Sequence, residues 1–161
     1  MQDVIKTVAI YTEDAEDYDA IGNRYLTFNV DGTVYGLQIK FVKEIVGMQK
    51  ATKVPETPDF VKGVINLRGH IVPLIDMRLK FGISEIPYTD RTCVVVASAH
   101  GVTVGLIVDA VDDVISIDPE LVSELPEDGR KNYESRYIVG LGKADGGIQQ
   151  LLGIDKLLTA I

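Results

Sequence analysis

Asp109, Asp112 and Asp113 form a tight acidic group. Carboxylates this close could hold a divalent cation or divide general-acid and general-base roles between them. No complete calcium-loop pattern surrounds them, so the solvated end of a strand is the preferred reading. The single cysteine, Cys93, lies in an apolar, strand-like run, where a buried and inert thiol is expected. His70 and His100 stand far apart without ligand-spaced neighbours, so a zinc site would need an unusual donor set. The dense glycine patch Gly140-Leu141-Gly142-Lys143-Ala144-Asp145-Gly146-Gly147 precedes a strand rather than a helix, which suits a hairpin turn and not a phosphate cradle. No Gly-x-Ser-x-Gly elbow occurs. Nucleophile, base and oxyanion donors thus have no visible meeting point, and no catalytic residue, metal or cofactor is expected. One positional feature remains. Asn66-Leu67-Arg68-Gly69 ends an apolar strand on a fixed cation. Composition alone favours Arg68 as an exposed turn residue. The functional alternative is that Arg68 rims an apolar groove that receives another protein, since its planar fork keeps donating after partial desolvation.

The elements that must position these residues are mostly strands. Arg24 to Val30 alternates polar and apolar, ends at Asp31-Gly32, and continues into Val34 to Ile39 as a hairpin. Phe41 to Val46 fits one helical turn or a strand face equally, because so short a run has no decisive period. Val54 to Pro58 is a connector, since its two prolines lack backbone donors. Val61 to Leu67 and Ile71 to Ile75 flank the Arg68-Gly69 turn, and Asp76 is placed to cap a short helix stopped by Gly82. Thr92 to Ala97, Val102 to Val108 and Val111 to Ile117 read as strands around a His100-Gly101 turn. Ser123 to Arg136 reads as a loop, Tyr137 to Leu141 and Gln149 to Ile154 as closing strands, and Asp155 as the cap of a last turn. About ten short strands joined by tight turns indicate a mainly β protein, better housed in two packed small barrels than in one.

Composition agrees. The chain has 161 residues and is 46% hydrophobic, enough for a buried core. Valine and isoleucine together number 37, and tryptophan is absent, which favours sheet. The net charge of −8 argues against nucleic acid or anionic lipid as a partner. Residues 1–22 hold six acids and one base; they are expected to form a mobile acidic arm with too little apolar surface to offset its ordering entropy. Residues 34–97 carry +3 and residues 98–161 carry −6, so the two halves differ in sign. The amino terminus has no signal-peptide pattern and no run is long enough to span a membrane, so a cytoplasmic protein without direct membrane insertion is expected.

The run Phe60-Val61-Lys62-Gly63-Val64-Ile65-Asn66-Leu67-Arg68-Gly69-His70-Ile71-Val72-Pro73-Leu74-Ile75-Asp76-Met77-Arg78 resembles the signature of the CheW family of chemotaxis adaptors. Tyr35-Gly36-Leu37, Val42-Lys43-Glu44-Ile45, Val54-Pro55, Val104 to Asp109, Tyr137 to Leu141 and Ile154 to Leu158 support it in order. The resemblance covers Tyr25 to Leu158. It implies two intertwined five-stranded SH3-like β-barrels with a third apolar core between them, within a domain at 23–161. The first barrel is expected at about 34–97 and the second at 23–33 plus 98–158. It implies no catalysis. Such a protein would be a scaffold in two-component signal transduction, joining the regulatory domain of the histidine kinase CheA to the cytoplasmic tips of methyl-accepting chemotaxis receptors. It would sit in membrane-associated arrays through those partners. The receptor-facing positions would be Val42, Glu44, Arg68, Ile71, Gly105, Val114 and Gly140, with Val34 and Val46 facing the kinase. In a strand reading Val42 and Glu44 share a face, and the two glycines would permit close backbone approach. Without the resemblance, a bulge or strand bend explains both glycines. The motif ends three residues before Ile161, so a stand-alone adaptor is expected. The rival is a small β-barrel that binds another ligand such as nucleic acid.

Overall fold

The computed structural model describes residues 23–125, 136–144 and 146–159. The acidic arm, most of the 123–136 segment and Asp145 lie outside the described residues. Among the described residues eleven strands and two short α-helices follow in order. They are β1 (Arg24–Val30), β2 (Thr33–Gln38), β3 (Val42–Gly47), β4 (Val61–Leu67), β5 (His70–Asp76), α1 (Met77–Lys80), β6 (Cys93–Ala99), β7 (Val102–Val108), β8 (Ala110–Ser116), β9 (Val122–Glu124), β10 (Ile138–Ala144), β11 (Gly147–Leu152) and α2 (Ile154–Leu158). They form a six-stranded sheet, β8-β1-β2-β11-β10-β9, and a five-stranded sheet, β3-β6-β7-β5-β4. Each is antiparallel except for one parallel neighbour pair, β2 with β11 and β5 with β7. Among the described residues neither order closes on itself by strand pairing. The mainly β, two-unit architecture of SH3-like barrels is otherwise as expected.

Three hairpins turn on two residues with positive φ: Asp31-Gly32 at 53° and 77°, Arg68-Gly69 at 51° and 85°, and His100-Gly101 at 53° and 77°. This is the type I′ geometry that matches strand twist, and glycine takes the second position without a Cβ penalty. The turns also correct the expected partition. A boundary after residue 33 or residue 97 would cut a β-hairpin unit. The Asp31-Gly32 turn keeps β2 beside β1 in the six-stranded sheet, and the His100-Gly101 turn keeps β7 beside β6 in the five-stranded sheet. The five-stranded sheet thus takes 42–108, nested between β2 and β8 of the other. The sixth strand, β9, arises where a loop was expected: Ser123 and Glu124 pair with Leu141 and Gly140.

Packing divides the same way. The largest buried cluster joins the sheets, with Leu26, Phe28 and Leu37 from one and Val42, Val95, Val104 and Leu106 from the other. Rings of Phe28, Tyr35, Phe81 and Tyr137 run through it at successive centroid spacings of 6.5, 5.0 and 5.6 Å. A second cluster, Ile65, Val72, Leu74, Val94, Val96 and Ile107, belongs to the five-stranded sheet. A third, Tyr25, Ile117 and Leu151, belongs to the six-stranded side.

The ambiguous 41–46 segment resolves as a 3-10 turn over Ile39–Phe41 followed by β3. Asp76 caps α1 as expected: its Oδ1 accepts the N–H groups of Arg78 and Leu79 at 2.9 and 3.3 Å, and its Oδ2 accepts the Tyr88 hydroxyl at 3.1 Å. Asp155 does not cap α2. Gly153 takes that position without a side-chain bond, and the Asp155 carboxylate instead lies 2.7 Å from His100 Nε2.

Candidate interaction groove

β4 and β5 hold the Arg68-Gly69 turn at one end of the five-stranded sheet, and β3 and the β6–β7 turn complete a groove there. Its volume is about 450 Å³, and its walls include Lys43, Glu44, Leu67, Arg68, His70, Ile71, Val72, Val96 and Thr103. The Asn66 side chain fixes the turn, its Oδ1 accepting the Gly69 N–H at 2.9 Å. Arg68 then reaches across to Glu44 as a fork, Nη1 to Oε1 at 2.8 Å and Nη2 to Oε2 at 2.9 Å. The Arg68 side chain is 78% exposed, so the pair contributes only about 0–1 kcal/mol to stability. Its larger effect is to fix the direction of the guanidinium. Ile71 beside it is 66% exposed, a large apolar side chain left facing solvent at the groove.

Three of the seven expected receptor-facing positions, Glu44, Arg68 and Ile71, therefore meet in one groove. The others do not. Val42 is 1% exposed in the shared core, and it does not share the face of Glu44. A register shift between them sets Val42 opposite Ala97 and Glu44 opposite Val96, so the bulge sends Val42 inward and Glu44 out. Gly105 is buried on β7, where an added Cβ would stand 2.6 Å from Leu74 Cδ2 and 2.7 Å from Val94 Cγ1. Its missing side chain makes room for the sheet's own core rather than for an approaching backbone. Gly140 lies on β10 at a register shift, and its absent Cβ would face the Ser123 carbonyl oxygen at 3.0 Å. That is the bulge reading. Val114 is half-buried on β8 opposite Leu26. Gly140 and Val114 thus lie on the six-stranded sheet, apart from the groove-bearing one. Val34 and Val46 divide likewise, Val34 on β2 and Val46 on β3 against the second core cluster.

The acidic group is already engaged. Asp109 pairs with Arg78, whose Nε lies 3.0 Å from Oδ1 and whose Nη2 lies 2.9 Å from Oδ2. The Thr27 hydroxyl donates to Asp112 Oδ2 at 3.3 Å and accepts the Asp113 N–H at 3.0 Å. Among the described residues no group of three or more His, Cys, Asp and Glu side chains could hold a metal ion. Burial pushes the Cys93 thiol up to about 11, which fits an inert core cysteine. Two cations escaped the sequence reading. Arg78 is held above its ordinary value first by its hydrogen bond to Asp109. Lys80 is 3% exposed, with Nζ donating to the Thr159 carbonyl at 3.1 Å and lying 4.2 Å from the Phe60 ring centre. Burial lowers its pKa. For Arg78 the only sequence signal was its place just inside a capped helix; for Lys80 there was none.

No described helix is long and apolar enough to cross a membrane. Residues 24–161 match the model of the CheW-like domain. The chemotaxis protein CheW of Klebsiella aerogenes is 38% identical over 142 residues, covering 88% of this chain and 85% of that protein. CheW of Bacillus subtilis is 35% identical over 113 residues, covering 70% and 72%. The crystal structure of the scaffolding protein TtCheW from Thermoanaerobacter tengcongensis superposes with a TM-score of 0.74 at 34% identity, over 81% of this chain and 88% of that one. Sheet architecture, signature run and relatives agree, and the chain belongs to the CheW family of chemotaxis scaffold proteins.

Proposed function

We propose that the protein is a non-catalytic adaptor that couples the cytoplasmic tips of methyl-accepting chemotaxis receptors to the regulatory domain of the histidine kinase CheA. The observation that carries this reading is the groove in which an exposed isoleucine stands beside a bidentate ion pair. A receptor's helical hairpin would lay apolar side chains over Ile71 and the groove floor. Arg68, aimed by Glu44, would select register and partner by charge. Val42 and Gly105 support the groove from within the sheet, and Val114 and Gly140 are proposed as flanking positions on the other sheet. Val34 and Val46 are proposed for the kinase, which would then touch both sheets. The protein would reach receptor arrays at the membrane through these partners.

Fluorescence anisotropy of the full chain with a receptor cytoplasmic fragment, and separately with a CheA regulatory domain, tests the reading. Arg68→Glu should weaken receptor binding by about tenfold or more while kinase binding and the melting temperature hold. Equal loss of both interactions, or wild-type protein that binds neither, would sink it.

A further inference from the structure

Arg78 uses all three of its guanidinium nitrogens at the junction of the sheets. Nε and Nη2 grip the Asp109 carboxylate, Nη2 also lies 3.3 Å from Asp31 Oδ1, and Nη1 donates to the Ser84 carbonyl at 3.2 Å. Its side chain is only 13% exposed. Asp109 is the single residue between β7 of one sheet and β8 of the other. Its N–H donates to the Asn29 carbonyl at 3.0 Å, and its Oδ2 accepts the Asp31 N–H at 2.8 Å. Asp31 lies in the β1–β2 turn, and Arg78 in α1 directly after β5. One segment from each sheet, α1 after β5 and the β1–β2 turn, therefore converges on the Asp109 carboxylate. The shared core holds the sheets by side-chain packing alone, since apolar contact carries no directional bond. An Arg–carboxylate fork is directional, and here it sits where the chain crosses with one residue to spare.

We propose that the Arg78–Asp109–Asp31 clasp sets the angle between the two sheets and so carries a displacement at the groove to the six-stranded sheet. The second half rests on the adaptor reading; the first does not. Spin labels at Gly47→Cys and Ser116→Cys, both exposed and on different sheets, report the angle by pulsed electron paramagnetic resonance in the full chain. Cys93 is buried and stays unlabelled. The labelled parent should give one narrow distance distribution. Arg78→Lys keeps the charge but loses the fork, and should widen or shift it. Asp31→Asn, which leaves the Arg78–Asp109 contacts in place, should do so less. A folded Arg78→Lys protein with the parent's distribution overturns the proposal. If Arg78→Lys fails to fold, an unchanged distribution in Asp31→Asn does the same. In reconstituted receptor–kinase assemblies, Arg78→Lys should cut receptor control of kinase activity by about tenfold while each separate affinity stays within about threefold. Unchanged control despite a widened distribution overturns transmission, as does affinity lost in step with control. If the wild type binds neither partner the adaptor reading fails, and the distance measurement still decides the clasp.

Discussion

The two sheets are built alike and equipped differently. Each has one parallel join and its own small core; among the described residues six buried side chains make up that core in the five-stranded sheet and three on the six-stranded side. Each exposes an isoleucine, Ile71 at 66% and Ile148 at 69%. Each is the second residue of its strand, but Ile71 lies among Lys43, Glu44 and Arg68 in a groove. Edges differ too. Asp112 and Asp113 charge the exposed β8 edge, and Thr52 pairs with Val64 along the β4 edge. Exposure is thus common to both isoleucines, and what separates them is the directed Arg68–Glu44 pair beside Ile71.

The severest test of that contrast is Val42→Asp. Putting a carboxylate into the core both sheets share should cost more than about 4 kcal/mol and unfold them together in one urea transition. Two separate transitions would show that the sheets are independent. Alkaline titration is the next largest. Unfolded cysteine ionises from about pH 9, whereas the buried Cys93 thiol on β6 holds its proton to about 11, so the folded state binds the extra proton between those values. Stability should fall by about 2–3 kcal/mol across that window, and Cys93→Ala should flatten the fall in urea midpoints. Burial also raises the Tyr25 phenol on β1, so further loss belongs above pH 10, while the lowered Lys80 works in the opposite sense below 10.5.

Gly105→Ala forces two core side chains aside, and should cost about 1–3 kcal/mol by chemical denaturation. Gly140→Ala meets one carbonyl at the limit of contact and should cost less. A reversed order would shift the tighter packing to the six-stranded sheet. The smallest effects on stability sharpen the comparison most. Ile71→Ser and Ile148→Ser should each change stability by less than about 0.5 kcal/mol, yet only Ile71→Ser should weaken receptor binding in the anisotropy assay.

The strands were legible because alternation and the pairs Asp31-Gly32, Arg68-Gly69 and His100-Gly101 are local signals. The same local signals placed Arg68 at an exposed turn, and its receptor-facing assignment came from the resemblance. Val42 was not legible, because a bulge breaks the period-two rule that placed it beside Glu44. Gly105 could not be assigned either, since the side chains filling its space come from β5 and β6. The division of strands between sheets also stayed hidden, because joins such as Tyr35 with Gln150 span most of the chain. Asp109 drew notice as a possible ligand, but its partner lies thirty-one positions earlier.

The nesting of 42–108 within the other sheet also governs the order in which the protein can be made. During synthesis β1 and β2 emerge first, yet β8 and β11, their neighbours on either side, follow only after the whole inner sheet. The five-stranded sheet can pair fully once residue 108 has left the ribosome, while the opening hairpin still lacks β8 and β11 as neighbours. Long-range closure of this kind is slow. A nascent chain arrested between residues 108 and 147 would hold a finished groove beside an unfinished sheet, and that interval is when it would most need a chaperone.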